Sequence, residues 1–232
     1  MAHRAAFSHV TDWVFDLDNT LYPRTCNLFA QIDSLITDYV VNMTGLERDA
    51  ARRLQKDYYR DHGTTLNGLM VTHGIDPDHY LKTVHEIDYS PVAADPALMA
   101  AIAALPGRKH VFTNADKGHA EAVLGRLGGA DLFDSVFDIR DADFQPKPFV
   151  AAYDKFLARH EIDPTQAAMF EDLEKNLAVP HARGMVTVHV IPDAGFSHDQ
   201  VEHWELSRAD EHPHVHHITG DLSGFLSVLN RG

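Results

Sequence analysis

Val10-Thr11-Asp12-Trp13-Val14-Phe15-Asp16-Leu17-Asp18-Asn19-Thr20-Leu21 is the stretch on which the fold turns. Residues 10–15 form a short apolar run rich in β-branched and aromatic side chains, which predicts a buried strand. The run stops abruptly at two carboxylates, Asp16 and Asp18. Alternate residues of extended chain point the same way, so both acids can enter one pocket. Further apolar runs repeat the design. Residues 110–112 stop at Thr113-Asn114, residues 167–170 stop at Glu171-Asp172, and residues 186–191 form a fourth strand. Helical patterns at 117–127, 149–160 and 174–183 lie between or after them. This alternation predicts an α/β fold, a Rossmann-like parallel sheet with helices on both faces. In such sheets ligands bind beyond the carboxyl ends of the strands, where these polar residues fall.

The segment from about Pro23 to Pro91 has another texture. Leu28, Ile32, Leu35, Ile36, Tyr39, Val40 and Met43 recur at helical spacing before Gly45. Further helices are expected over 46–62, 66–73 and 78–86. The reading is an inserted all-helical cap, residues 23–91, within a discontinuous core made of 1–22 and 92–232.

Bulk composition bounds the function. The chain has 232 residues, 44% hydrophobic and 23% charged, which is ordinary for a globular protein. No apolar run reaches the roughly 18 residues of a membrane helix. The start, Met1-Ala2-His3-Arg4, carries no signal-like core, so a cytoplasmic location is the expectation. Cys26 is the single cysteine, which excludes an internal disulfide and a thiolate cluster. A formal net charge of −14 argues against nucleic acid or an anionic membrane as the main partner. A small anionic substrate stays possible, because one divalent cation and one lysine can make a local site positive.

The strand ends supply the matching chemistry. Two close carboxylates repel, and a hard divalent cation such as magnesium is the usual remedy. Thr113 and Asn114 offer donors suited to phosphoryl oxygens. Lys147, between Pro146 and Pro148, brings a positive charge on stiffened backbone. Glu171 and Asp172 form a second acidic pair, followed by Asn176.

This order of motifs resembles the haloacid dehalogenase superfamily with a helical cap. The resemblance implies that Asp16 attacks phosphorus and forms an aspartyl phosphate, while Asp18 protonates the leaving alcohol and then activates water. Thr113, Asn114 and Lys147 would hold the phosphate. Asp16, Asp172 and the main-chain carbonyl of Asp18 would ligate Mg2+, with Glu171 and Asn176 in support. An acid at position 18 favours phosphoryl transfer over halide displacement, which needs no proton. The wording Asp-Leu-Asp-Asn-Thr-Leu-Tyr-Pro and Glu-Asp-Leu-x-x-Asn-Leu looks most like the pyrimidine 5′-nucleotidase branch. The expected partner is therefore a small phosphate monoester. A sugar-phosphate or phosphoglycolate phosphatase, a β-phosphoglucomutase-like enzyme, and a non-catalytic binding protein of this fold are the alternatives. Oligomeric state is left open.

Within the insert, Asn27, Phe29, Tyr58 and Asn67 are candidates to contact a base. Of the 17 histidines, His212, His214, His216 and His217 cluster near the C-terminus. Alternation would place His212, His214 and His216 on one face, although a solvated or strand-paired tail is the expected reading. A closing helix is expected over 221–229.

Overall fold

The computed structural model describes residues 5–192 and 212–230; the first four residues of the sequence lie outside it. Six strands form one sheet: β1 (Asp12–Phe15), β2 (Arg108–Phe112), β3 (Ser135–Phe137), β4 (Ala167–Glu171), β5 (Val186–Val190) and β6 (His217–Thr219). Their spatial order is β3-β2-β1-β4-β5-β6, and every pairing is parallel. β1 lies between β2 and β4, with Phe15 opposite Val111 on one side and Phe170 on the other. Successive strands therefore wind outward in two directions from β1, which is the arrangement that opens a crevice at the strand ends.

Burial on both faces explains why the strands read as unbroken apolar runs. Trp13, Phe15, Ala168, Phe170 and Val188 point into one core cluster. Val14, Phe112, Ala167 and Met169 point into the opposite one, where Phe112 stacks on Phe156 with ring centroids 4.8 Å apart.

The insert between β1 and β2 contains α1 (Leu28–Thr44), α2 (Arg48–His62), α3 (Thr65–His73) and α4 (Pro77–Val84). It has its own apolar cluster, built on Val40, Ala51, Leu66, Leu69, Tyr80, Leu81 and Val84. The left-handed Gly45 and Gly74 stop α1 and α3, as their sequence positions predict. The remaining helices are α5 (Pro96–Ala103), α6 (Lys117–Leu127), α7 (Val150–His160), α8 (Ala178–Ala182) and α9 (Leu222–Asn230). No helix of the described residues is long and apolar enough to cross a membrane.

Several expectations change. The helix expected over 174–183 divides into a 3-10 turn, Glu174–Leu177, and the short α8. Pro180 has no N–H to donate, so it tolerates the first turn of α8 but not the middle of a longer helix. The short strand β3 and the helix α5 were not anticipated. The histidine-rich tail is strand-paired, with His217 opposite Val188. Its histidines do not share one face: the main-chain N–H of Thr187 donates to His216 Nδ1 at 3.1 Å, whereas His212 and His214 approach Glu174.

Candidate active site

β1 delivers Asp16 at its carboxyl end, and the ladder continues one residue further through Asp16 N–H donating to Phe170 carbonyl at 2.9 Å. The chain then reverses through Asn19, whose φ of 61° lies in the left-handed region that asparagine tolerates. Leu17 is fully buried. That pattern leaves Asp16 and Asp18 facing the crevice, as alternation predicts.

Both oxygens of Asp16 are held. Lys147 Nζ donates to Oδ1 at 2.7 Å, and the Thr20 hydroxyl donates to Oδ2 at 3.2 Å. Lys147 is 2% exposed and spends its other hydrogens on Glu171 Oε2 at 2.7 Å and the Phe112 carbonyl at 2.8 Å. Burial alone would lower the Lys147 pKa, but the two carboxylates outweigh it and raise it. Burial pushes Asp16 up, Glu171 adds to this, and Lys147 opposes it. Burial likewise raises Glu171.

Asn114 has a different task from the one its residue type suggests. Its side-chain amide donates to the Lys147 carbonyl at 3.1 Å, while its oxygen accepts the Lys147 N–H at 2.8 Å. The side chain thus clamps the lysine backbone, so it positions Lys147 and is not aimed at an anion. The Thr113 hydroxyl, 1% exposed, accepts the Ala115 N–H at 3.0 Å, which leaves its own hydrogen to donate. Glu171 Oε1 accepts from Asn176 Nδ2 at 3.0 Å, and the Asn176 carbonyl accepts the Tyr153 hydroxyl at 2.7 Å.

Asp18 is gripped by residues that its motif does not reveal. Oδ1 accepts the Tyr22 hydroxyl at 2.5 Å and His119 Nε2–H at 2.7 Å. The Tyr89 hydroxyl donates to the His85 carbonyl at 3.1 Å and sits 3.0 Å from His119 Nδ1, so its oxygen accepts from a doubly protonated ring. Burial opposes that charge on His119, but Asp18 prevails and the pKa is raised. Asp18 mirrors it: burial would raise its pKa, and the His119 charge lowers it. The His119–Asp18 pair holds one proton beside the crevice.

Oxygen atoms of Asp16, Glu171 and Asp172 lie within 4.8 Å of one another, close enough to share a cation. Burial raises the Asp172 pKa to about 7, with Arg24 opposing and Asp16 reinforcing. Three buried carboxylates face two cations, Lys147 and Arg24, and the repulsion these leave suits a hard divalent ion. Around such an ion Glu171 is bonded to Lys147 and Asn176, Asp16 to Lys147 and Thr20, and Asp172 to Arg24. The Asp18 side chain is turned to His119 and Tyr22. Arg24 Nη2 sits 2.7 Å from Asp172 Oδ2, a buried cation that the strand-end motifs gave no reason to expect. Its signal was adjacency to Tyr22-Pro23 alone.

A cavity of about 200 Å³ joins these groups to the insert. Its insert wall includes Asn27, Phe29, Ile32, Leu66, Leu81 and Tyr59. Two of the sequence candidates are used elsewhere. The Tyr58 hydroxyl lies 2.8 Å from His73 Nε2, and Asn67 Nδ2 donates to the His62 carbonyl at 3.0 Å.

Comparison with known proteins bears on the fold and the family. Phosphate metabolism protein 8 of Saccharomyces cerevisiae is 25% identical over 205 residues, covering 81% of this chain and 64% of that protein. The chain therefore spans less than two thirds of that relative. Among solved structures, L-2-haloacid dehalogenase from Xanthobacter autotrophicus superposes with a TM-score of 0.59 at 15% identity, covering 96% of this chain and 99% of that one. A phosphatase of the same superfamily from Thermococcus onnurineus also gives 0.59 at 15% identity, over 95% and 98% of the two chains. At such identities these likenesses establish the fold alone. The sequence model of the haloacid dehalogenase-like hydrolases matches residues 14–179, and the chain belongs to that family of hydrolases.

Proposed function

We propose that this hydrolase is a magnesium-dependent phosphomonoesterase that works through an aspartyl phosphate on Asp16. The observation that carries the reading is the proton held between Asp18 and His119 beside a carboxylate clamped by Lys147 and Thr20. Displacing halide needs no proton at this place, whereas expelling an alkoxide does. An Asp16 oxygen attacks phosphorus, and the ester P–O bond breaks. The leaving oxygen takes a proton from Asp18, to which the doubly protonated His119 passes its Nε2 proton as the alkoxide departs. Asp18, again a carboxylate, removes a proton from water, whose oxygen attacks the aspartyl phosphate and releases inorganic phosphate. Lys147 and the Thr113 hydroxyl stabilise the phosphoryl oxygens throughout. Magnesium, held by Asp16, Asp172 and the Asp18 carbonyl, would neutralise charge on the same oxygens.

The substrate reading is a nucleoside 5′-monophosphate, with a pyrimidine favoured by the motif wording. The insert, residues 23–91, acts as the cap over the leaving group. The apolar walls Phe29, Ile32, Leu66 and Leu81 suit a flat base better than a polyhydroxylated sugar. A polar edge stands beside them: Gln55 Nε2 donates to Asp33 Oδ1 at 2.6 Å, and Lys56 Nζ lies 2.9 Å from the same oxygen.

Phosphate release from nucleotides, sugar phosphates and phosphoglycolate, with magnesium and then a chelator, tests both levels. Asp16→Asn is expected to lower turnover by more than about 10⁴-fold. Turnover that survives the substitution would refute the nucleophile, and turnover of sugar phosphates without nucleotides would refute the substrate class.

A further inference from the structure

The histidine-rich segment, unused by the catalytic reading, meets the loop after β4 outside the cavity. His214 Nε2 is 2.6 Å and His212 Nδ1 is 3.3 Å from one and the same oxygen, Glu174 Oε2. The two rings lie 5.4 Å apart, centroid to centroid, and ligand-capable atoms of all three residues fall within 4.8 Å of one another. The side chains of Glu174, His212 and His214 are 18%, 25% and 19% exposed, so an ion can reach them while half shielded from water. His216, which strict alternation would have added, is taken by Thr187 on the neighbouring strand.

We propose that Glu174, His212 and His214 form a site for one zinc ion, which joins the C-terminal segment to the loop that carries Asp172. Two imidazole nitrogens and one carboxylate make a common three-ligand set for this borderline-soft ion, with a water completing the tetrahedron. Magnesium is a poor occupant, because it prefers an octahedron of oxygens. Zinc on Nε2 takes the place of the hydrogen that His214 now donates to Glu174, and the neutral ring then carries its proton on Nδ1. Glu174 lies two residues beyond Asp172, and its carbonyl is also 3.1 Å from His214 Nε2. The ion would therefore brace a loop already tied to the tail. The proposal is independent of the phosphatase reading.

The test is calorimetric titration of chelator-treated, magnesium-loaded full-length protein with Zn2+, alongside thermal melts. His212→Ala removes one ligand, and His214→Gln removes another while keeping a hydrogen-bond donor. Unchanged circular dichroism and a cooperative melt without zinc establish that each variant is folded. The expected result is one zinc per chain and a higher Tm in the parent protein. Each variant should bind more than about 100-fold more weakly, a larger loss than outer-sphere changes cause, and lose the Tm rise. Cobalt in place of zinc should show the intense visible absorption of a four-coordinate ion in the parent alone. Absence of zinc binding, loss of binding to excess magnesium, or an affinity in both variants equal to that of the parent would each overturn the proposal. The last result would assign the ion to other histidines of the chain.

Discussion

At the scale of single residues, the site depends on how two acids are kept in different states. Asp16 faces Lys147 and Glu171, whereas Asp18 faces an imidazole and a phenol. His119 acts through Asp18, so its role should depend on the leaving group. In His119→Asn, kcat on an alkyl phosphate should fall about 10²–10³-fold, the usual scale of a general-acid contribution. On p-nitrophenyl phosphate, whose leaving group needs little protonation, it should fall less than about 10-fold. Equal losses on both substrates would show that His119 merely holds the fold. Asp16, Asp18, Thr113, Lys147, Glu171 and Asp172 could be named from sequence because each directly follows a strand or stands between prolines. His119 could not. It is 101 residues from Asp18, on the buried face of α6, where a histidine reads like any other core residue.

At the scale of elements, the insert is held by close helix contacts that composition does not display. Gly68 on α3 packs against Tyr58 on α2, and a Cβ at that glycine would come within 2.5 Å of Tyr58 Cβ. In an open helix, alanine for glycine gains up to about 1 kcal/mol in propensity. Here the contact reverses the sign. Gly68→Ala should lose about 1–3 kcal/mol, the usual cost of overpacking, measured as a lower urea midpoint. A midpoint equal to or above that of the parent would refute close packing of α2 on α3. Helices α1 to α4 were readable from spacing and glycine stops. Strand β3 was not, and β6 was foreseen only as one of two forms of the tail, because three residues cannot display a period.

At the scale of the whole molecule, buried ionisable groups link stability to pH. His110, 1% exposed between Asp12 and Ser135, has a lowered pKa because burial disfavours its charge. The unfolded chain, near 6.5, then binds a proton more readily than the folded one. Its stabilising contribution is complete above about pH 6.5 and is lost as pH falls towards the lower folded value. Asp172 acts oppositely. Its pKa, raised to about 7, makes the folded protein take up protons as pH falls. A difference measurement removes that background. The stability gap between parent and His110→Asn should narrow below pH 6.5 by up to about 1.4 kcal/mol per unit. A gap independent of pH would refute a neutral His110.

The sequence by itself determined that strands and helices alternate, that polar residues end three strands, and that a helical segment interrupts the first crossing. These are local properties, set by side-chain periodicity and by the residue types at turns. Only the tertiary structure decided that β1 lies between β2 and β4, which brings Asp16, Thr113 and Asp172 to one crevice. It also decided the partners: Arg24 on Asp172, His119 on Asp18, and the tail histidines on Glu174. Those pairs join residues 38 to 148 positions apart. A contact across such a separation leaves no trace in local pattern, because it is created by chain folding and by the need of each buried charge for a partner.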